Sequence, residues 1–303
     1  MSRTPVCLVS GFLGSGKTTF LRNLTERYRD RRLVYLVNEF APSDVDGRRL
    51  ELPPDRVVCI AGGSIFCRCL ATEFIGMLRA ARTFFAGEAE GVVIEASGIA
   101  DPRIFGQLLK ETKLDAVYAP ALHVSLVDPG TFRKLLATLP NIQAQVEAAD
   151  IVLLNKTDLH LEEDLSETEA QIREINPHAW LLRTRHAQAQ IDIFGAPQPH
   201  GVQGDYAACR DLRFCTSTAR LPGPVRWTDL REAVDRFDDV LYRAKGFVQC
   251  SDGWRYVDWA AGVWSEERAA PATASELVLI ARGDAGERLR RLRQRIEAGA
   301  FSA

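Results

Sequence analysis

Residues 11–20, GFLGSGKTTF, constrain this chain more than any other stretch. They fit the pattern G-x-x-x-x-G-K-[ST], with Gly11, Gly16, Lys17 and Thr18 at its fixed positions. A β-like run, Val6-Cys7-Leu8-Val9, precedes them and a helical run over 18–28 follows, the strand–loop–helix setting that the pattern requires. Small residues such as Gly14 and Ser15 let the backbone wrap an anion, so that successive N–H groups and a helix N-terminus point at a phosphate. Lys17 is then expected to reach the β- and γ-phosphates. The Thr18 hydroxyl is expected on Mg2+, with Thr19 completing the turn.

A second buried-strand pattern over 33–37 runs into Asn38-Glu39-Phe40 and a polar loop. Glu39 leaves that strand at the carboxyl edge of the sheet, where ligands sit in open α/β folds, and is a candidate sensor of nucleotide state. Asp44 and Asp46 lie in the loop beyond it and read equally well as solvated turn residues. A third run over 91–94 ends in Glu95, followed by Ala96-Ser97-Gly98. An apolar strand that ends in an acid and a flexible turn places a magnesium partner, Glu95, and a second phosphate-sensing turn at Gly98. Downstream, Ile151-Val152-Leu153-Leu154 leads into Asn155-Lys156-Thr157-Asp158. The Asp158 carboxylate matches the two N–H donors on the guanine edge, where adenine offers a mismatch. Asn155 is expected to hold the purine edge and its loop, and the Lys156 stem to cover the base. The two motifs support each other, and the nucleotide expected is GTP or GDP.

The thiols are less decisive. Val57 to Ile60 forms a short strand pattern containing Cys59, and Cys67-Arg68-Cys69 precedes a helical pattern over 70–85. Two thiols two residues apart can face one way from an extended segment, with Cys59 as a third, and soft thiolates favour Zn2+ or a similar transition metal. Buried, unused cysteines fit the same spacing. A strand over 121–127 contains His123, read as a core residue, and a helical segment spans 131–149.

Alternating strands and helices through residues 1–186 specify an α/β domain: a P-loop NTPase with a doubly wound, mainly parallel sheet. Glycine, proline and glutamine then mark residues 187–208 as a linker, and a smaller α+β domain is expected over 209–303. At 303 residues and net charge −2, the chain has room for two cores and no basic field to draw nucleic acid or membrane. Seven cysteines at uneven spacing do not form a disulfide framework. The sequence, which opens directly into the phosphate loop, reads as cytoplasmic.

GFLGSGKTTF, VNEF, IEASGIADP, LLNKTDL and YRAKGFV together resemble the CobW-type GTPases, relatives of the nickel-delivery GTPases of hydrogenase and urease maturation. The resemblance covers nearly the whole chain. It implies a GTP-hydrolysing metallochaperone that delivers zinc, cobalt or a similar metal to a client metalloprotein and self-associates as a homodimer when GTP is bound. It also implies nucleotide or magnesium roles for Lys17, Thr18, Glu39, Glu95, Asn155, Lys156 and Asp158. The chain departs from the family at two places. Where the family carries Gly-Cys-x-Cys-Cys, this chain has Gly63-Ser64-Ile65-Phe66-Cys67, and where members read EFGE it has Glu39-Phe40-Ala41-Pro42. A GTP-regulated switch that binds a client without its own metal site is therefore the competing reading. A small-molecule kinase is the weakest, because Asn155 to Asp158 read a base and no acceptor pocket is visible.

Overall fold

A computed structural model describes residues 3–39, 56–61, 64–66, 70–81, 83–195, 213–260 and 262–301, which form two compact units. The first is built on seven strands: β1 (Thr4–Gly11), β2 (Leu33–Glu39), β3 (Val57–Ala61), β4 (Gly91–Glu95), β5 (Tyr118–Val127), β6 (Ile151–Leu154) and β7 (Trp180–Arg183). Their order is β3-β2-β4-β1-β5-β6-β7, and every neighbouring pair is parallel. Strands β4 and β6 are buried along their whole length, as a sheet covered on both faces demands.

Alternation along β2 separates the two faces. Val34 and Leu36 join Ile60 and Ile94 against Phe74 and Leu78 of α2 (Ala71–Ala81) and Phe105 and Leu108 of α3 (Phe105–Glu111). Tyr35 and Val37 join Val9 and Val93 against Phe20, Leu21 and Leu24 of α1 (Lys17–Arg27). The strand order reverses at β1, whose neighbours β4 and β5 come later in the chain. That reversal opens the crevice at the carboxyl ends of these strands, where an open α/β sheet binds ligands.

Three expectations need correction here. The helical segment over 131–149 is two helices, α4 (Pro129–Leu135) and α5 (Pro140–Glu147). Pro140 has no N–H to continue the first helix, and Leu139 before it is extended at φ −121° and ψ 94°. The pattern over 70–85 yields only α2, after which residues 84–87 tighten into a 3-10 turn. Residues 187–195 are not linker. Ala187, Ile191 and Ile193 are buried in the α1-side core, so their side chains belong to the first unit. Between β6 and β7 lies α6 (Glu162–Ile175).

The second unit is a five-stranded antiparallel sheet with the order β11-β10-β9-β12-β8. Its elements are β8 (Phe214–Arg220), α7 (Trp227–Asp235), β9 (Leu241–Cys250), β10 (Gly253–Ala260), β11 (Val263–Arg268), β12 (Glu276–Arg282) and α8 (Gly286–Glu297). Leu230 and Val234 of α7 and Leu289, Leu292 and Ile296 of α8 pack on Ala244, Val248, Val257, Trp259 and Leu279. Arg243 in β9 makes a bidentate pair with Asp258 at 2.8 and 3.0 Å. The arginine face of α8 is a solvated one, with Arg288 paired to Asp239, Arg291 to Glu287 and Arg293 to Glu297. Strand β11 has no sequence forecast because it is an edge strand whose residues are nearly all exposed, and charges at 266–268 blunt the edge. Among the described residues no helix is long and apolar enough to cross a membrane.

Gly246 shows how tightly this sheet is built. A Cβ there would lie 1.9 Å from the Glu276 carbonyl oxygen on β12. Gly246→Ala should therefore force β9 and β12 apart and destabilise the second unit by on the order of 3 kcal/mol. Denaturant unfolding followed by tryptophan fluorescence tests this, since Trp259 is fully buried in that core. An unchanged midpoint would contradict it.

Candidate nucleotide-binding site

The expected phosphate loop joins β1 to α1 at the strand-order reversal. Gly11, Gly14 and Gly16 have φ of 139°, 80° and 109°, backbone that residues with a Cβ rarely adopt. Space enforces the same choice, because a Cβ on Gly11 would lie 2.4 Å from the Leu126 carbonyl oxygen and one on Gly16 2.3 Å from Asn155 Nδ2. Gly16 caps α1 without a side chain, and the first turn of that helix contains no acidic residue. Its end is therefore electropositive. Lys17 is buried and donates from Nζ to the carbonyls of Gly11 at 2.8 Å and Phe12 at 3.3 Å, which holds the ammonium inside the loop.

Register brings the second phosphate-side element in. Glu95 pairs with Val9 of β1 on one side and Val37 of β2 on the other, at the edge from which the loop departs. Glu95 and Thr18 are both buried, and hard oxygen donors of this kind suit Mg2+. Gly98 follows against the loop, where a Cβ would lie 2.8 Å from Leu13 N. Two buried hydroxyls, Ser15 Oγ and Ser97 Oγ, have no hydrogen-bond partner among the described residues. One belongs to each of the two turns expected around phosphate.

The turn expected to read the base is tied to the phosphate loop by one side chain. Asn155, 2% exposed, donates from Nδ2 to Ser15 O at 2.9 Å. Its Oδ1 accepts from Thr184 Oγ1 at 3.2 Å and Ala187 N at 2.8 Å. The amide therefore fastens three loops, and both its ends are engaged with protein rather than turned toward a purine. Lys156 is left-handed at φ 60° and its Nζ pairs with Asp128 Oδ2 at 2.7 Å. Asp158 stands exposed on the following 3-10 turn, Thr157–Leu159. Arg183 is engaged by Glu162 and Glu169 of α6, which leaves Thr184 as the β7-end residue in this network.

Residues 5–183 match the CobW/HypB/UreG nucleotide-binding domain, and residues 214–297 match the cobalamin synthesis protein cobW C-terminal domain. The chain belongs to the CobW/HypB/UreG family. It is similar to zinc-regulated GTPase metalloprotein activator 1 of Schizosaccharomyces pombe, 29% identical with 84% of this chain and 74% of that protein covered. It is also similar to the zinc chaperone CobW of Pseudomonas aeruginosa, at 28% identity with 82% of this chain and 77% of that protein covered.

Ser64 and Phe66, at positions where the resemblance leads to an expectation of cysteine, are both buried. Phe66 packs with Phe74 and Phe105, ring centroids 6.1 and 6.2 Å away, so that position has become part of the α2-side core. Cys59 packs against the α1-side cluster, the opposite face of the sheet. Cys67 and Cys69, with Asp44 and Asp46, lie outside the described residues, and of Glu39 only the backbone at the end of β2 is described. Among the described residues no group of three or more His, Cys, Asp or Glu is placed to hold a metal ion. Burial pushes the Cys7 thiol well above its usual range, Asp150 adding to it, and burial likewise raises Cys250. Such thiols are poor ligands.

His123 is the core residue expected. Its Nδ1 faces Ala148 O at 2.7 Å and so carries the hydrogen, leaving Nε2 to accept from Ser10 Oγ at 2.7 Å. Four working side chains escaped the sequence reading. Asp128 holds Lys156. Asn38 gathers three backbone groups at the end of β2, and from α5 Gln145 and Asn141 hold the turn after β4. Gln145 Nε2 donates to Gly98 O at 3.1 Å and Ala100 O at 3.0 Å, and Asn141 donates to Ile99 O. The available signal was polarity out of place: Asn38 sits on a buried strand face, and Asp128 follows a strand just before a proline.

Proposed function

We propose that this protein binds GTP with Mg2+, hydrolyses it slowly to GDP and phosphate, and uses the change to deliver zinc or a similar metal to a client metalloprotein. The observation that carries the nucleotide reading is the Asn155 bridge from the base-reading turn to Ser15 of the phosphate loop. In this reading Lys17 and the α1 N-terminus hold the phosphates, and Thr18 and Glu95 hold the magnesium, which supplies charge neutralisation when bound. Asp158 accepts the guanine N–H groups, while Asp128 keeps Lys156 over the base. The names of the zinc-linked relatives support the metal half.

Substitution of Asp158 tests the base assignment. Asp158→Asn should weaken GTP by about a hundredfold or more, since it removes the charge and sets an N–H donor against one of the two guanine N–H groups. It should improve xanthosine triphosphate, whose exocyclic C2 oxygen accepts from the new amide. Nucleotide titration measures both, and unchanged GTP affinity would sink the assignment.

The burial of Phe66 in the core favours a second reading, a GTP-regulated client-binding switch with no metal of its own. Zinc or cobalt titration of wild type and of the double variant Cys67→Ser, Cys69→Ser, each with GDP and with a non-hydrolysable GTP analogue, separates the two. Equal binding by both proteins assigns the function to the switch.

A further inference from the structure

We propose that Asn38 is the positioning residue that passes nucleotide state from the turn after β4 to the turn after β3. The proposal rests on the nucleotide-binding reading. Asn38 is the next-to-last residue of β2, 3% exposed, between β3 and β4. A single atom, Oδ1, accepts from Ser97 N at 3.2 Å and from Ile65 N at 2.9 Å. Nδ2 donates to Ile60 O, the last core residue of β3, at 3.2 Å. Ser97 and Ile65 are far apart in sequence and share this one acceptor.

The two ends of the clip differ in what holds them. Ser97 precedes Gly98, which abuts Leu13 of the phosphate loop so closely that any Cβ would collide with it. A shift of that loop on phosphate binding therefore moves residues 97–98. Residues 64–66 are anchored instead by core packing, with Ile65 and Phe66 fully buried. When Ser97 moves, Oδ1 either follows it and draws on Ile65 N, or releases it and shifts its bond toward Ile65 N. Both outcomes change the Ile65 amide. An apolar strand residue would hold neither turn, and an orphaned Ile65 N–H in this buried place would carry a desolvation penalty. The turn at 64–66 leads straight to Cys67 and Cys69 in the chain, so the relay ends beside two thiols in sequence.

Hydrogen exchange on the full chain tests this, read at peptides covering Ile65 and Ser97 with GDP and with a non-hydrolysable GTP analogue. Fluorescent GDP titration and thermal melting run in parallel. In wild type both amides should respond to the nucleotide exchange. In Asn38→Ala the Ile65 amide should exchange roughly tenfold faster, the loss of one neutral hydrogen bond, and should no longer respond to nucleotide. Ser97 should still respond, and GDP affinity should stay within about threefold. Asn38→Asp, which keeps both acceptor bonds, should restore the Ile65 response and covers the case in which the alanine variant fails to fold. A wild-type Ile65 amide indifferent to nucleotide while Ser97 responds would overturn the proposal. So would an Ile65 response that persists in Asn38→Ala. Failure of wild type to bind either nucleotide would overturn the binding reading and the relay with it, and the titration identifies that case.

Discussion

Lys17→Ala is expected to lower GTP turnover by about a thousandfold or more. Phosphoryl transfer leaves the protein little covalent chemistry, so rate comes from positioned charge, and one donor aimed at developing charge is worth about a hundred- to a thousandfold. The Lys17 ammonium is buried and held on the carbonyls of Gly11 and Phe12. Exchange of those neutral acceptors for β- and γ-phosphate oxygens is strongly favourable in so dry a place, and an alanine has nothing to exchange. Loss of the same two bonds should loosen the nucleotide-free loop as well, by about 1–3 kcal/mol. Phosphate release at saturating GTP measures the main effect, and thermal melting without nucleotide measures the lesser one. Turnover within tenfold of wild type would remove Lys17 from the reaction.

The first unit was legible because a parallel sheet covered on both faces writes itself as unbroken apolar runs. Strands β1, β4 and β6 stand where those runs do. What failed was periodicity without its exceptions. The apolar spacing over 131–149 continues across Pro140, yet backbone chemistry divides the helix there. Composition misled at 187–195, where glycine and glutamine read as linker while Ile191 and Ile193 fill the core. Strand β11 lacked any burial signal, since an edge strand exposed on nearly every residue carries no alternation to detect.

The site was legible where one residue type alone does the chemistry. Lysine in a glycine loop and an acid after Asn-Lys have few substitutes, so their spacing carries meaning. The supporting amides are different. Asn38 acts through contacts 22 to 59 residues away, and Asn141 and Gln145 through contacts 42 to 47 residues away, and such pairings exist only once the strand order is known. Residues 63–67 differ from the motif that the resemblance implies, and only burial reveals that Phe66 belongs to the core.

Asn155→Ala is the second large effect expected, and it separates holding from reading. The side chain is nearly inaccessible, and its removal takes this partner from Ser15 O, Ala187 N and Thr184 Oγ1 and opens space beside Gly16. Buried groups left unsatisfied destabilise by about 1–3 kcal/mol each, so the first unit should melt measurably earlier. Nucleotide affinity should fall by about a hundredfold, because the phosphate loop and the base turn no longer hold a fixed separation and binding must then order them. The nature of the loss is the discriminating feature. Each end of the amide already bonds protein, so Asn155 is expected to hold the turn rather than to choose among bases. GTP and xanthosine triphosphate should weaken by the same factor, whereas Asp158→Asn moves them in opposite directions. Competition titration of the two nucleotides against Asn155→Ala decides the point. A selective loss of GTP would mean that Asn155 reads the purine edge after all and that its bond to Ser15 is secondary.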